Sequence, residues 1–268
     1  MKFKVNRLFA ALLCVAVWAG APAVGPASPL PAEPPRIVAA AMVRDIVDGD
    51  TLVLDTGAQV RLVGIQAPKL PLGRPGFAAW PLAGEARDAL AALSLGKQVA
   101  LSYGGQPIDR WRRLLADVRT SEFWLQEEML RRGLARVYTF ADNVGSSAAL
   151  YAAEDEARRA GRGIWRLAYY RILRPDEADT RIGTFQLVEG APVAAAVVRG
   201  TGYLNFGADW RSDFTVSVSA PDMKRFRAAG VDLTSLTGQR LRVRGWITRR
   251  NGAMIRVTHP EQMEILDK

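Results

Sequence analysis

The sequence predicts a mainly β protein with helices, an α+β chain arranged as two units. Three observations carry this expectation. Residues 38–65 read as a β-meander, residues 83–160 contain three helical stretches each closed by a glycine, and residues 184–258 contain five or six short strands with one helix before the last pair. At roughly 100 to 200 residues per domain, 268 residues suffice for two modest units, each with its own core.

In the meander, Val38 to Ile46 and Thr51 to Leu54 read as strands. Asp55-Thr56-Gly57-Ala58 is the turn into a third strand, Gln59 to Ile65. Residues 69–81 (KLPLGRPGFAAWP) hold too much proline and glycine for regular structure and form a loop. A helix over Ala83 to Leu95 stops at Gly96, strands fit Gln98 to Tyr103 and Arg113 to Val118, and a helix over Phe123 to Arg132 stops at Gly133. The last helix of this unit, Ser147 to Ala160, ends at Gly161-Arg162-Gly163. Residues 171–182 read as a charged connector. Beyond it, strands fit Thr184 to Glu189, Ala194 to Val198, Thr201 to Phe206, Asp213 to Ser219, Arg240 to Thr248 and Met254 to Thr258, with a short helix at Asp222 to Ala229. That order is the pattern of a small closed barrel, of which the OB-fold is the commonest oligonucleotide-binding form.

Composition narrows the class. With 49% apolar and 24% charged residues, the chain excludes fibres, disulfide-knotted miniproteins and long disordered polymers. No segment beyond the N-terminus approaches the roughly 20 apolar residues that a membrane span needs. At the N-terminus, Lys2, Lys4 and Arg7 precede an apolar stretch from Leu8 to Ala19, followed by small residues and prolines. This is the pattern of a secretory signal peptide over residues 1–27, with cleavage points after Ala23 or Ala27. Its removal takes the only cysteine, Cys14, and lowers the formal net charge from +9 by three, to +6. The expected location is periplasmic or extracellular, where a thiol-free chain cannot mispair. Residues 28–36 form a Pro-rich linker, residues 37–170 the first unit, residues 171–182 the connector and residues 183–268 the second unit. The surviving basic surplus is mostly arginine, whose planar fork suits phosphate.

The most informative stretch is residues 45–69, DIVDGDTLVLDTGAQVRLVGIQAPK. Asp48-Gly49-Asp50-Thr51 sets carboxylates at a strand mouth, and Arg61 follows on a neighbouring strand. A carboxylate that holds a hard cation beside a guanidinium that meets phosphate is the equipment of metal-assisted phosphate chemistry. Taken alone, Asp-Gly-Asp is an ordinary turn.

Together, VDGDT, VRLVGIQAP, GEARDAL, DRWRRLLADV, LQEEMLRRGLARVY and EDEARRAGRGIW resemble the staphylococcal nuclease (thermonuclease) family over residues 37–165, in order and in spacing. The resemblance implies a five-stranded OB barrel with three helices and calcium-dependent phosphodiester hydrolysis of DNA and RNA. By position it implies that Asp50 is a calcium ligand, and that Arg61 and Arg113 are catalytic arginines on the phosphate. Where the family usually carries Asp-Thr/Ala-Pro-Glu, this chain carries Gln66-Ala67-Pro68-Lys69. Gln66 then stands at the second metal position with a neutral amide oxygen, which weakens calcium binding, and Lys69 replaces the expected general base. Glu85, in the helix after the loop, reads as structural. Nothing in the proline-rich loop is expected to desolvate Lys69, which would join Arg61 and Arg113 as a third cation for nucleic acid.

In the second unit, strand alternation sends Leu241, Val243 and Ile247 to one face and Arg240, Arg242, Arg244 and Trp246 to the other. That second face is either a nucleic-acid-binding surface for a single strand or a solvated outer face partly covered by Trp246. His259, the lone histidine, reads as a surface or packing residue. Two functions remain open: an exported, candidate calcium-dependent phosphodiesterase with a degenerate site, or a non-catalytic protein binding single-stranded DNA, RNA or phosphate.

Overall fold

The computed structural model describes residues 37–266; the expected signal peptide and linker lie outside the described residues. The first unit begins with β1 (Ile37–Asp48), β2 (Thr51–Leu54), β3 (Gln59–Leu62) and β4 (Ile65–Gln66), then α1 (Ala83–Ser94), β5 (Gln98–Ser102), β6 (Leu114–Arg119), α2 (Leu125–Arg131), β7 (Arg136–Val137) and α3 (Ser147–Arg159). Strands β1-β2-β3-β6-β5 close into a barrel. One twelve-residue strand serves two neighbours: the first half of β1 pairs with β5 and the second half with β2, and register shifts after Val43 and after Ile46 give it the curvature that closure needs. Leu52, Val60, Leu62, Val99, Leu101 and Val118 fill the barrel, and Leu90, Leu125, Met129 and Leu150 from the helices join the same core.

The third strand is shorter than its sequence suggests. Gly64 turns the chain at φ +76°, and a Cβ there would lie 2.5 Å from Leu150 Cδ1. β3 therefore stops at Leu62, and Ile65–Gln66 leaves the barrel to pair with Val137 and Arg136 of β7.

The second unit follows a 3₁₀ turn, Pro175–Arg181, in which the Glu177 carboxylate accepts the Arg174 N–H at 2.9 Å. Its elements are β8 (Phe185–Gly190), β9 (Ala194–Val198), β10 (Thr201–Asn205), β11 (Thr215–Val218), α4 (Met223–Ala228), β12 (Leu241–Arg249), β13 (Ala253–Val257) and β14 (Met263–Ile265). Hydrogen bonding runs β14-β12-β13-β11-β10-β9, with β8 also on β12 and a parallel pairing of β11 with β13. This connectivity repeats the first barrel, which has its own parallel pair in β3 and β6. The roles of the two halves of β1 are taken by β8, on β12, and β9, on β10. Ala191-Pro192-Val193 separates them, and Pro192 has no N–H to give a ladder. The second unit is thus a seven-stranded sheet that follows the barrel path. The closed ring the sequence predicts is interrupted at its broken first strand, where β8 and β9 do not pair with each other. The three-residue β14 has no counterpart in the sequence reading, because Met-Glu-Ile is too short to show alternation.

The predicted basic face of β12 needs correction. Leu241, Val243 and Ile247 are buried as alternation requires, but on the opposite face only Arg240 and Trp246 meet solvent, whereas Arg242 and Arg244 are buried and Arg244 reaches the first barrel. Arg244 is 1% exposed: its guanidinium donates to both Glu154 carboxylate oxygens on α3 (2.9 and 3.1 Å), to the Val137 carbonyl (3.1 Å) and to Glu264 on β14. Arg242 is buried between Glu189 and Glu264, and the exposed Arg240 also pairs with Glu189. A guanidinium leaves water only where carboxylates and carbonyls replace its hydration, and Glu154, Glu189 and Glu264 do so here. Trp246 stays 42% exposed and packs edge-on against Phe185. His259 is buried, its ring nitrogens bonded to Thr139 (2.7 Å) and Thr258 (2.9 Å), which is a packing role.

Candidate functional site

The candidate site lies where β1 turns into β2. Asp48 ends β1, Gly49 turns, and Asp50 precedes Thr51 at the start of β2. The turn is pressed against α1 and the segment after β4: a Cβ on Gly49 would meet Ala86 Cβ at 2.6 Å and Ala67 Cβ at 2.7 Å. Glycine is what allows this approach, and the approach buries both carboxylates, Asp48 at 4% and Asp50 at 0% exposure.

Buried carboxylates need donors, and Asp50 has several. The Ala67 N–H reaches Oδ2 at 2.8 Å, the Thr51 hydroxyl reaches Oδ1 at 3.2 Å, and Arg61 Nε lies 3.3 Å from Oδ1. Lys69 Nζ is the nearest cation, 2.7 Å from Oδ1 and 2.6 Å from Oδ2, and it also reaches Asp48 Oδ2 at 3.2 Å. The ammonium bridges the two acids. Burial alone would push Asp50 up, but Arg61 and Lys69 outweigh it and hold the carboxyl well below the usual range. Asp48 is displaced the other way, raised by burial and by the charge of Asp50, with Lys69 only partly offsetting both.

The structure brings Asp50, Arg61 and Lys69 together and adds Asp48, which the sequence reading mentions only as part of the turn. Two expectations change. Lys69 is not a free third cation in an open loop: its side chain is 18% exposed and held by both carboxylates. Arg61 is also committed, its guanidinium donating to the carbonyls of Leu62 and Ile65 as well as lying on Asp50. Arg113 stands outside the cluster. It precedes β6 and is held by Asp109, with Nε 2.8 Å from Oδ2, in a turn where Asp109 Oδ1 also accepts the N–H groups of Trp111 and Arg113 at 2.9 Å each. Trp111, 62% exposed, carries the Arg110 guanidinium over its ring at 4.0 Å and that of Arg113 at 5.2 Å.

Gln66 is buried on β4, and its Oε1 has no partner among the described residues. That orphaned oxygen, Asp48 and Asp50 are the donors a calcium ion could use. Calcium requires six to eight oxygens, and here three of the four carboxylate oxygens meet an ammonium instead, while the fourth, Asp48 Oδ1, accepts the Asp50 N–H at 3.1 Å. Among the described residues no group of three or more His, Cys, Asp or Glu side chains gathers around a common point. The residues present do not fit the ion that the resemblance implies.

Residues 59–167 match the family described as staphylococcal nuclease homologue. This segment is a staphylococcal-nuclease-like domain. Its relatives include the thermonuclease of Staphylococcus hyicus, 27% identical over 123 residues that cover 45% of this chain and 72% of that protein. A probable endonuclease of Paracoccidioides lutzii is 34% identical over 125 residues, 42% of this chain and 34% of that protein. A probable staphylococcal-like nuclease of Oryza sativa subsp. japonica is 32% identical over 116 residues, 43% of this chain and 28% of that protein. The staphylococcal-nuclease-like domain thus places Lys69, at the end of its third-strand motif, against the acids of its first.

Proposed function

We propose that this chain is an exported member of the nuclease family that binds single-stranded nucleic acid and does not hydrolyse it, the Lys69 ammonium occupying the position between carboxylates that a catalytic metal would need. The observation that carries this reading is Lys69 Nζ at 2.6 Å from Asp50 and 3.2 Å from Asp48. A covalently attached cation competes with a free ion at high effective concentration. Both acids are neutralised internally, and neither is left to orient water. The surface that meets nucleic acid is the adjacent turn, where Trp111 offers a stacking plane and Arg110, Arg112 and Arg113 offer phosphate contacts.

Two measurements test this reading. Labelled single-stranded DNA is titrated in calcium and in chelator while cleavage is followed on gels: affinity should be the same in both, with no calcium-stimulated products. Efficient calcium-dependent cleavage overturns the proposal and restores the phosphodiesterase reading. Export rests on residues 1–27 and is tested by N-terminal sequencing of protein from the envelope fraction, where the mature chain should begin between Val24 and Ser28. An intact Met1 there removes it.

A further inference from the structure

The second barrel carries a concavity that the first barrel's chemistry does not use. A cavity of about 420 Å³ opens on the strand side formed by β9, β10 and β11, closed at one end by the β12–β13 hairpin; Val198, Tyr203, Asn205, Trp210, Arg250 and Met254 line it. The first barrel is met from other elements, through Arg244 on β12, Phe185 on β8 and His259. Strand alternation builds the wall. On β10, Gly202 and Leu204 are buried in the barrel, whereas Tyr203 and Asn205 point away from it.

The lining is chemically mixed in a specific way. Trp210 is 50% exposed and Val198 54% exposed, so a large apolar plane lies bare beside the cavity. Asn205 Oδ1 accepts the Thr215 hydroxyl at 3.2 Å, which fixes the amide; its N–H donors have no partner among the described residues. Arg250 makes no ion pair among the described residues, and the Arg211 guanidinium lies over the Trp210 ring at 4.5 Å. The one acid beside Trp210 in the chain, Asp209, is occupied by the Arg211 N–H and the Ser212 hydroxyl.

We infer that this cavity is a second binding site, for a base of single-stranded nucleic acid stacked on Trp210 with its phosphate on Arg250. A planar aromatic wall accepts a base face without demanding one sequence, an oriented amide meets a base edge, and a rim guanidinium meets the phosphodiester. A neutral oligosaccharide would use the aromatic plane but gain nothing from the rim charge. The volume is that of a nucleoside-sized ligand rather than of a macromolecular fold. The site is separate from the Asp50 cluster, and it stands whether or not the first barrel holds nucleic acid.

The test uses the full mature chain and a fluorescein-labelled hexathymidylate, with anisotropy read at several salt concentrations. Trp210→Ala should weaken binding by about 5- to 100-fold, the range that loss of one base stack gives, and Trp210→Phe should recover most of it. Arg250→Ala should weaken binding and reduce the salt slope by about 1. On an abasic strand, Trp210→Ala should make no difference. Arg113→Ala serves as the first-barrel control. A loss with Arg113→Ala alone, and parental affinity in both second-barrel variants, overturns this site without touching the first. Displacement of the probe by a neutral hexasaccharide as readily as by unlabelled oligonucleotide also overturns it. Circular dichroism checks that the variants, altered at exposed positions, keep their fold.

Discussion

At Asp50 and Lys69 a single exchange of charge decides the chemistry. The fold still delivers two buried acids to one turn, and the lysine on the next loop turns that acidic pair into a closed ion cluster. Lys69→Glu together with Gln66→Asp should therefore reopen it, because the first change releases Asp48 and Asp50 and supplies a base while the second restores the carboxylate that the family resemblance implies at position 66. A restored general base alone is worth about 10² or more in rate, and the double variant should exceed either single one because metal and base act on the same attacking water. Calcium-dependent cleavage of single-stranded DNA measures the gain. A folded double variant that binds calcium and shows no gain would locate the remaining obstacle at Arg61 and Arg113, both held by their own partners. The sequence made the substitution at positions 66 and 69 legible. It did not show that the 69 ammonium reaches back to Asp48 and Asp50, since that contact spans about twenty residues and depends on the Gly49 turn lying against Ala67.

Elements were easier to read than their faces. Helix α1 ends within a residue of its predicted stop and β9 matches its prediction throughout, because glycine punctuation and alternation are local signals. What failed was the assignment of solvent to Arg242 and Arg244 on the basic side of β12. Alternation says which residues share a face, and only tertiary packing says what covers it. The consequence is measurable. Glu154→Gln should destabilise the protein by about 3 kcal/mol, the lower end of the cost of breaking a buried pair, since Glu264 still faces Arg244. Arg240→Ala, which removes a mostly exposed partner of Glu189, should cost under about 1 kcal/mol. Urea unfolding of both variants compares the two directly, and equal losses would mean that the Arg244 cluster does not pin β12 to α3.

At the scale of the whole molecule, the two barrels share contacts that neither could satisfy alone. Besides Arg244 and Glu154, Tyr138 packs edge-on against Phe185 at 4.9 Å, the buried Arg136 lies over the Phe185 ring, and Thr139 bonds the His259 ring at 2.7 Å. Separating the barrels would leave Arg244, Glu154 and Arg136 exposed or unpaired within damaged cores, so they should unfold in one cooperative transition. His259 gives that transition a pH dependence of known sign. Burial, reinforced by the charge of Arg225 and only partly opposed by Asp222 and Asp142, lowers its pKa to about 4 from an ordinary 6.5. The unfolded chain then takes up a proton before the folded one does as pH falls. The stabilisation is complete above about pH 6.5 and is lost progressively as pH falls towards 4, at a cost of about 2 to 3 kcal/mol. Scanning calorimetry at pH 7, 5 and 4 should show a single endotherm moving to lower temperature, and His259→Gln should flatten that movement by removing the titrating ring between Thr139 and Thr258. Two resolved endotherms at pH 7 would separate the barrels energetically, and an unchanged pH slope in the variant would assign the acid sensitivity to other groups.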